Sequence, residues 1–518
     1  MPKVNINGTE IEVDKGTTIL RAAADAGFDV PHFCYHPALS IPANCRMCLV
    51  EVEGMPKLQP GCYTQVNEGM VVKTKSERVI KARKAVLEFI LLNHPVDCPI
   101  CDQAGECKLQ DYYVDYDAQE SRQRTDKQNK VKAYPLGPEV VYDGERCILC
   151  TRCIRFCDEV TQSSELTIVE RGDRAEIRTF PGRELDNAYS MCVVDLCPVG
   201  ALTSRDFRFK CRVWLLTSTD SVCTGCSTGC SIHLDHFRNT AQRYRPRYNP
   251  RVNDYWMCDK GRLSYKQIHD DRNTAISVNG ADVNWHAATE ALAPKLAKAV
   301  EDGGDGVAFL VSPQATVEDL FVAKQFASNV LKTSNFYMGG NAPGESDKFL
   351  IRADKNPNTG GIAHVFGSMA ALSPFPALVE AMEAGKVKVL YMMGAQTPCN
   401  DEMRARFVAA LEKVGLFVFQ SAHAAELSGK ANFVLPACTH AEKDGTFINF
   451  EGVRQAIHQA FAPHGASLPD WQIFMRVARA MKNPMSYTFL AEIQKEAFAA
   501  KPVIEAEPAA EQPAPSAE

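Results

Sequence analysis

The sequence predicts an α+β front half followed by an α/β back half, and three observations carry that reading. Twenty cysteines occur in 518 residues, and eighteen of them precede residue 260. The chain opens on a strand–turn–strand–helix pattern. Beyond residue 275 short apolar runs alternate with helical stretches. With 45% hydrophobic and 23% charged residues the chain is ordinary globular material, long enough for several domains that each bury a core.

The opening pattern is specific. Val4 and Ile6, then Ile11 and Val13, flank Asn7-Gly8, a pair suited to a two-residue hairpin turn whose central positions both need positive φ. Thr17 or Thr18 can cap a helix carrying Ile19, Leu20, Ala23 and Ala24, and Gly27 suits its left-handed exit. This ββα start resembles a β-grasp ferredoxin. Residues 76 to 93 read as a second helix, with Val79, Ile80, Val86, Leu87, Ile90 and Leu91 at helical spacing, running into His94. Residues 115 to 135 are polar and aperiodic, as expected of an exposed linker. In the back half, strands are expected near residues 307 to 311, 387 to 393, 416 to 419 and 433 to 435, with helices near 316 to 332 and 401 to 413, which predicts a parallel sheet. Residues 501 to 518 are rich in Pro, Ala and Glu and are expected to be a disordered tail.

The composition also excludes classes of function. The N-terminus lacks the charged-then-apolar pattern of an export signal, so the oxidising compartment that a disulfide framework needs is not implied. Runs such as residues 89 to 92 and 387 to 394 fall short of the roughly 18 to 20 apolar residues of a membrane span, so membrane association is expected only through partners. A net charge of −6 gives no basic field for nucleic acid, and the cluster between Arg243 and Arg251 reads as a solvated loop.

The cysteines fall into four sets. The first is Cys34-x10-Cys45-x2-Cys48-x13-Cys62. Soft thiolates hold iron, and a close pair with two outlying cysteines can wrap a small cluster; the β-grasp start favours [2Fe–2S] over a structural zinc. His32 and His36 flank Cys34 and are read as packing residues. The second set, His94-x3-Cys98-x2-Cys101-x5-Cys107, suits either a [4Fe–4S] cluster or zinc. A neutral imidazole in place of a thiolate would make such a cluster less negative and raise its potential. The third set is Cys147-x2-Cys150-x2-Cys153 with Cys197-Pro198 later, the bacterial ferredoxin run. There Cys157 would serve a second cluster, but the reciprocal positions before Cys197 are Asn187, Ser190 and Val193, so one cluster is expected and Cys157 is an orphan. The fourth set is Cys223-x2-Cys226-x3-Cys230-x27-Cys258, where zinc again competes with [4Fe–4S]. Cys157, Cys192, Cys211, Cys399 and Cys438 are left outside the sets.

Taken in order, FCYHPALSIPANCRMCLVEVEG, NHPVDCPICDQAGECKLQD, CILCTRCIRFCDEV and LCPVGALTS resemble the large iron–sulfur subunit of bacterial complex I, the NADH:quinone oxidoreductase. The resemblance implies one [2Fe–2S] and three [4Fe–4S] clusters, electrons arriving from a flavin-bearing NADH-oxidising subunit, and exit toward a quinone-proximal ferredoxin-like subunit. It implies a peripheral subunit on the cytoplasmic face of the bacterial inner membrane, not catalytically complete alone. From about residue 220 the chain resembles molybdopterin oxidoreductases, through the fourth set and through ANFVLPACTHAEKDGTFINFEGVRQ. ADKNPNTGGIAHVFG weakly matches the segment supplying the metal's protein ligand, with Asp354 near that position, but no molybdopterin is expected because the chain ends soon after the later motif. No G-x-G-x-x-G follows a strand, so NADH oxidation is expected elsewhere.

The expected domains are 1–75 ([2Fe–2S] β-grasp ferredoxin), 76–115 (a [4Fe–4S] segment with one histidine and three cysteines), 136–215 (ferredoxin-like [4Fe–4S]), 216–275 (four-cysteine [4Fe–4S]), 276–500 (molybdopterin-oxidoreductase-like α/β) and the tail from 501. The competing reading is an electron-transfer subunit of an NAD-linked hydrogenase or formate dehydrogenase, which uses similar front-half motifs.

Overall fold

Asn7 (φ 52°) and Gly8 (φ 95°) make the expected left-handed turn, joining β1 (Lys3–Ile6) to β2 (Thr9–Glu12). Thr18 caps α1 (Ile19–Asp25) through its hydroxyl, which accepts from Arg21 N at 3.4 Å, and Gly27 turns the chain out at φ 77°. The structure is a computed structural model that describes residues 1–116, 120–499 and 504–505. Within it β3 (Leu49–Val52), β4 (Gln59–Pro60) and β5 (Met70–Lys73) complete a five-stranded sheet in the order β2-β1-β5-β3-β4, with β1 parallel to β5. Val4, Ile6, Val50, Val52 and Val72 from its strands close against Ile19, Leu20 and Ala23 of α1.

Ser76 caps α2 (Glu77–Leu91), whose buried stripe is Val79, Arg83 and Leu87, while Ile80 faces solvent. Arg83 is fully enclosed; it donates to Leu49 O at 3.4 Å and Tyr116 Oη at 3.2 Å, so the helix is pinned to the sheet and to α3 (Lys108–Tyr116). The polar stretch after α3 is exposed as expected but tethered. Lys127 Nζ donates to the carbonyls of Leu91 (2.7 Å) and Leu92 (2.8 Å), satisfying acceptors that the end of α2 leaves open. The linker expectation also covered residues 117–119, which lie outside the described residues.

A three-stranded sheet of β6 (Tyr134–Pro135), β7 (Val140–Tyr142) and a later β10 (Leu202–Ser204) follows. Between β7 and β10 come α4 (Arg152–Glu159), the hairpin β8 (Leu166–Val169) and β9 (Glu176–Thr179), and α5 (Cys192–Leu196). All of this, from Met1 to Leu216, forms one compact unit.

The second unit begins at Thr217 with an antiparallel sheet of β11 (Thr217–Val222), β12 (Ser231–Phe237) and β13 (Thr240–Pro246), followed by α6 (Asp259–Leu263). The basic cluster here is not a solvated loop. Arg243 and Arg245 each approach the buried Asp235 carboxylate to 2.7 Å.

Then come β14 (Ile276–Val278), β15 (Ala281–Val283), α7 (Trp285–Glu301), β16 (Val307–Val311), α8 (Val317–Gln325), β17 (Phe336–Met338), α9 (Thr359–Phe366) and α10 (Phe375–Glu383). After these lie β18 (Val389–Met393), α11 (Asp401–Ala410), β19 (Leu416–Ser421) and β20 (Phe433–Pro436). The seven strands are ordered β15-β14-β20-β19-β18-β16-β17; the five from β16 to β20 are parallel, and β14 joins antiparallel at the edge. Alternate residues of β18 face opposite cores: Tyr391 and Met393 pack with α7 and α8, Leu390 and Met392 with α10 and α11. The hairpin β21 (Gly445–Ile448) and β22 (Val453–Ile457), then α12 (Asp470–Ala480) and α13 (Leu490–Phe498), complete the unit. Within the segment expected to be a disordered tail, β23 (Ile504–Glu505) pairs with β22; residues 501–503 and 506–518 lie outside the described residues.

Candidate metal centres

The loop between α1 and β3 supplies Cys34, Cys45 and Cys48, and the turn after β4 supplies Cys62. Left-handed Ala43 (φ 49°) and Arg46 (φ 60°) on either side of Cys45 fold that loop back on itself. Cys34, Cys48 and Cys62 are buried. Their thiols lie within hydrogen-bonding reach, so contacts from Cys45 and Cys62 pull the Cys34 thiol down while the same contacts push Cys45 and Cys62 up. Four sulfurs held this way cannot all ionise unless a cation offsets their charge, as bound iron does. His32 Nδ1 instead meets Val30 O at 2.9 Å, and His36 Nδ1 accepts from Ala38 N at 3.3 Å, in keeping with packing roles.

His94, Cys98, Cys101 and Cys107 line one cavity of 510 Å³ between the end of α2 and the start of α3. His94 Nδ1 is buried with no hydrogen-bond partner. Burial, then Lys127 and Arg146, lower the imidazole pKa to about 4, so the ring is neutral near pH 7 and has a lone pair to give. Burial pushes the Cys107 thiol up to about 11. An uncompensated polar nitrogen on a residue that lines a cavity with three thiols suits a metal ligand better than a helix-end histidine.

Cys147, Cys150 and Cys153 approach and enter α4, and Cys197 ends α5; all four line one small cavity with Tyr142, Val199 and Leu202. Leu149 (φ 53°) and Thr151 (φ 63°) hold strained left-handed backbone between the cysteines. The strain aims amide groups at sulfur, with Leu149 N donating to Cys147 Sγ at 3.4 Å. Burial raises Cys147 to about 11 and Cys197 to about 12. Cys157 does not line that cavity. It sits beside Glu165, a buried carboxylate that accepts from Ser163 Oγ at 2.7 Å and Asn187 N at 3.2 Å.

The β11–β12 turn carries Cys223, Cys226 and Cys230, closed by Cys223 N donating to Cys230 O at 2.9 Å. Cys258 caps α6, its sulfur accepting from Gly261 N at 3.3 Å. A Cβ on Gly261 would stand 3.1 Å from Cys223 Sγ and 3.2 Å from Cys258 Sγ, so this glycine permits the two thiols to face each other. The four cysteines open onto a cavity of 480 Å³ whose far wall includes Thr439, His440, Lys443 and Asp470. Asp354 does not line it; its Oδ1 accepts from Asn356 N at 3.1 Å, and its carbonyl accepts from Ser227 N at 2.9 Å. Among the described residues no three Cys, His, Asp or Glu side chains converge closely enough to ligate a single ion. A multi-iron core, with ligands spread around several metal atoms, does not require that they do.

Several arginines that no sequence signal singled out join the sets. Arg155 donates to Cys34 O at 2.6 Å and Cys150 O at 3.4 Å, and Arg152 donates to Tyr35 O and to Leu196 O, so α4 clamps the first loop onto the third set. Arg146, next to Cys147, donates to Asp97, next to Cys98, at 3.0 Å. Arg212 donates to Cys101 O at 2.8 Å.

Known families match in the same order. A 2Fe-2S iron-sulfur cluster binding domain matches residues 3–77, and an NADH-ubiquinone oxidoreductase-G iron-sulfur binding region matches 83–122. The ferredoxin-like domain of NADH-quinone oxidoreductase subunit 3 matches 137–203. A molybdopterin oxidoreductase Fe4S4 domain matches 216–270, and molybdopterin oxidoreductase matches 371–480. The G subunit of the Rickettsia bellii NADH-quinone oxidoreductase is 39% identical over 334 residues, 64% of this chain and 48% of that protein. The NADH-ubiquinone oxidoreductase 75 kDa subunit of Reclinomonas americana is 40% identical over 369 residues, 69% of this chain and 53% of that protein. A solved NAD+-reducing [NiFe]-hydrogenase aligns with TM-score 0.37 and 29% identity, over 41% of this chain and 91% of that one. The chain spans about half the length of the curated relatives it matches. It is a homologue of the G, or 75 kDa, subunit of NADH-quinone oxidoreductases, with that subunit's iron–sulfur domains set ahead of a molybdopterin-oxidoreductase-like domain.

Proposed function

We propose that this chain holds one [2Fe–2S] and three [4Fe–4S] clusters and carries electrons within an NADH:quinone oxidoreductase, from a flavin-bearing NADH-oxidising subunit toward a quinone-proximal ferredoxin-like subunit. The ligands are Cys34, Cys45, Cys48 and Cys62; His94, Cys98, Cys101 and Cys107; Cys147, Cys150, Cys153 and Cys197; and Cys223, Cys226, Cys230 and Cys258. Bound clusters supply reversible one-electron chemistry and ask no acid, base or nucleophile of the chain. The protein's part is to hold thiols in dry loops, direct backbone N–H groups at sulfur and fix the gaps between loops.

The observation that carries the reading is the continuity of the ligand loops. Arg155 spans the first and third sets. The Arg146–Asp97 pair spans the third and second. The third set therefore contacts both the first and the second, although it follows both in sequence. Segments 1–75, 76–115 and 136–215 act as three carriers in one unit; 216–275 carries the fourth set and 276–500 serves as scaffold. The proposal assigns no molybdopterin to the back half; Asp354, the residue nearest the position of a metal ligand in that family, accepts from Asn356 N at 3.1 Å and does not line the 480 Å³ cavity. The chain is placed as a peripheral subunit at the cytoplasmic face, attached through partner subunits; no described helix is long and apolar enough to cross a membrane.

Iron, zinc and molybdenum analysis of anaerobically purified protein tests this. The expected content is about 14 iron atoms per chain with neither other metal. About ten irons and one zinc would withdraw one four-iron assignment. Co-purification with a soluble nickel subunit instead of membrane subunits would move the chain to a hydrogenase.

A further inference from the structure

Gly200 lies three residues beyond Cys197 and is not among the positive-φ residues, so conformational freedom is not what requires glycine there. Space is. A Cβ at this position would stand 2.2 Å from Cys101 Sγ, 3.0 Å from Gln103 Cβ and 3.8 Å from Arg146 Cδ. The first distance is far inside van der Waals contact, so a side chain at 200 must displace either the Cys101 sulfur or the turn that follows Cys197.

The backbone on both sides is held. Arg212 holds the Cys101 carbonyl at 2.8 Å. Arg146, 4% exposed, is paired with Asp97 at 3.0 Å and Asp143 at 3.4 Å. On the other side Asp143 N donates to Ala201 O at 2.8 Å, which ties the residue after Gly200 to the strand leading into Cys147. Two ligand loops from separate sets are thus clamped together across the one residue without a side chain.

We propose that Gly200 is a positioning residue that sets the gap between the second and third centres: its bare Cα lets the Cys101 sulfur rest against the chain that leads, in three residues, to Cys197. The proposal rests on the reading of Cys101 and Cys197 as cluster ligands. Electron tunnelling falls steeply across a through-space gap and less steeply along bonds, so one van der Waals contact joined to a short covalent path is an efficient crossing. Any side chain at 200 pushes the Cys101 sulfur and the turn after Cys197 apart.

The test compares the full-length, anaerobically purified protein with Gly200→Ala and with Arg146→Gln, which loosens the clamp without adding an atom beside sulfur. In the unsubstituted protein, reducing both centres should split their paramagnetic lines through spin–spin interaction. Gly200→Ala is expected to keep about 14 irons and each centre's own signal, with a smaller splitting. Arg146→Gln is expected to reduce the splitting to a lesser degree. Full iron with unchanged splitting in Gly200→Ala overturns the proposal, as does full iron with no splitting in the unsubstituted protein. Should Gly200→Ala lose about four irons from the second centre alone, the contact at Cys101 is upheld. The gap is then judged on Arg146→Gln, where unchanged splitting overturns it. Failure of the ligand reading shows separately, as an unsubstituted protein lacking a four-iron signal that depends on Cys101.

Discussion

Lys443 Nζ lies 2.7 Å from an Asp319 carboxylate oxygen, a pair sealed between β21 and the start of α8, and 2.8 Å from Asp470 at the start of α12. Burial works against the ammonium, but the two carboxylates outweigh it and hold the lysine charged. Asp470 in turn accepts from Gln420 on β19 at 2.8 Å. Replacing Lys443 with Met would strand two carboxylates in the interior, with an expected loss of about 3–5 kcal/mol in denaturant unfolding. Adding Asp319→Asn should recover part of that loss. If the single variant is as stable as the parent, the cluster does not brace these three elements.

Asp235 gives a pH dependence with a definite sign. Burial raises its pKa, but Arg245 and Arg243 outweigh that and hold it at about 2. A depressed carboxylate stabilises the fold fully above its unfolded value of about 3.9, and the contribution is lost as pH falls through the folded value. Acidification from pH 7 to pH 5 should therefore leave this contribution intact. About 2 kcal/mol should disappear between roughly pH 4 and pH 2. Asp235→Asn should be less stable at pH 7 and lack that part of the acid transition, as read by thermal midpoints across a pH series.

His94 offers the sharpest test of the second set. His94→Cys should preserve a four-iron centre, because thiolate is the commoner ligand, and lower its midpoint potential, because the centre gains negative charge. His94→Ala should weaken or remove it. Potentiometric titration with paramagnetic spectra distinguishes the two. An unchanged midpoint and spectrum in both variants would return His94 to a plain helix-end role.

Cys157 should be dispensable for iron. Glu165 and Asn187, joined at 3.2 Å through the Asn187 amide, sit beside it where the ferredoxin run has room for a second cluster. Cys157→Ser is expected to leave the iron content of the chain unchanged. Loss of a whole four-iron signal would require a new partition of the third set.

Much of this was legible in the sequence because thiolate spacing and turn chemistry are local. Asn7-Gly8, the Thr18 and Ser76 caps and the apolar runs of the parallel strands each act within a few residues, and the structure has them where expected. What was not legible is long-range. Arg155 meets Cys34 across 121 residues, and nothing near either residue announces it. Gly200 stood in plain view within LCPVGALTS, but its reason lies in Cys101, on another loop. Ile80 fitted the helical period yet faces solvent, because Arg83 with its paired guanidinium takes the inner face of α2. The antiparallel edge formed by β14 and β15 follows from pairing partners that periodicity does not encode.

The polar stretch tethered by Lys127 bears on how such a chain can be rearranged by descent. It reads as a seam, yet cutting there would part neighbours. Residues before it include Asp97 and Cys101, and residues after it include Arg146 and Gly200, which touch them. A fusion or truncation at this tethered stretch would therefore separate halves of one contact surface, whatever the tolerance of the stretch itself to insertion.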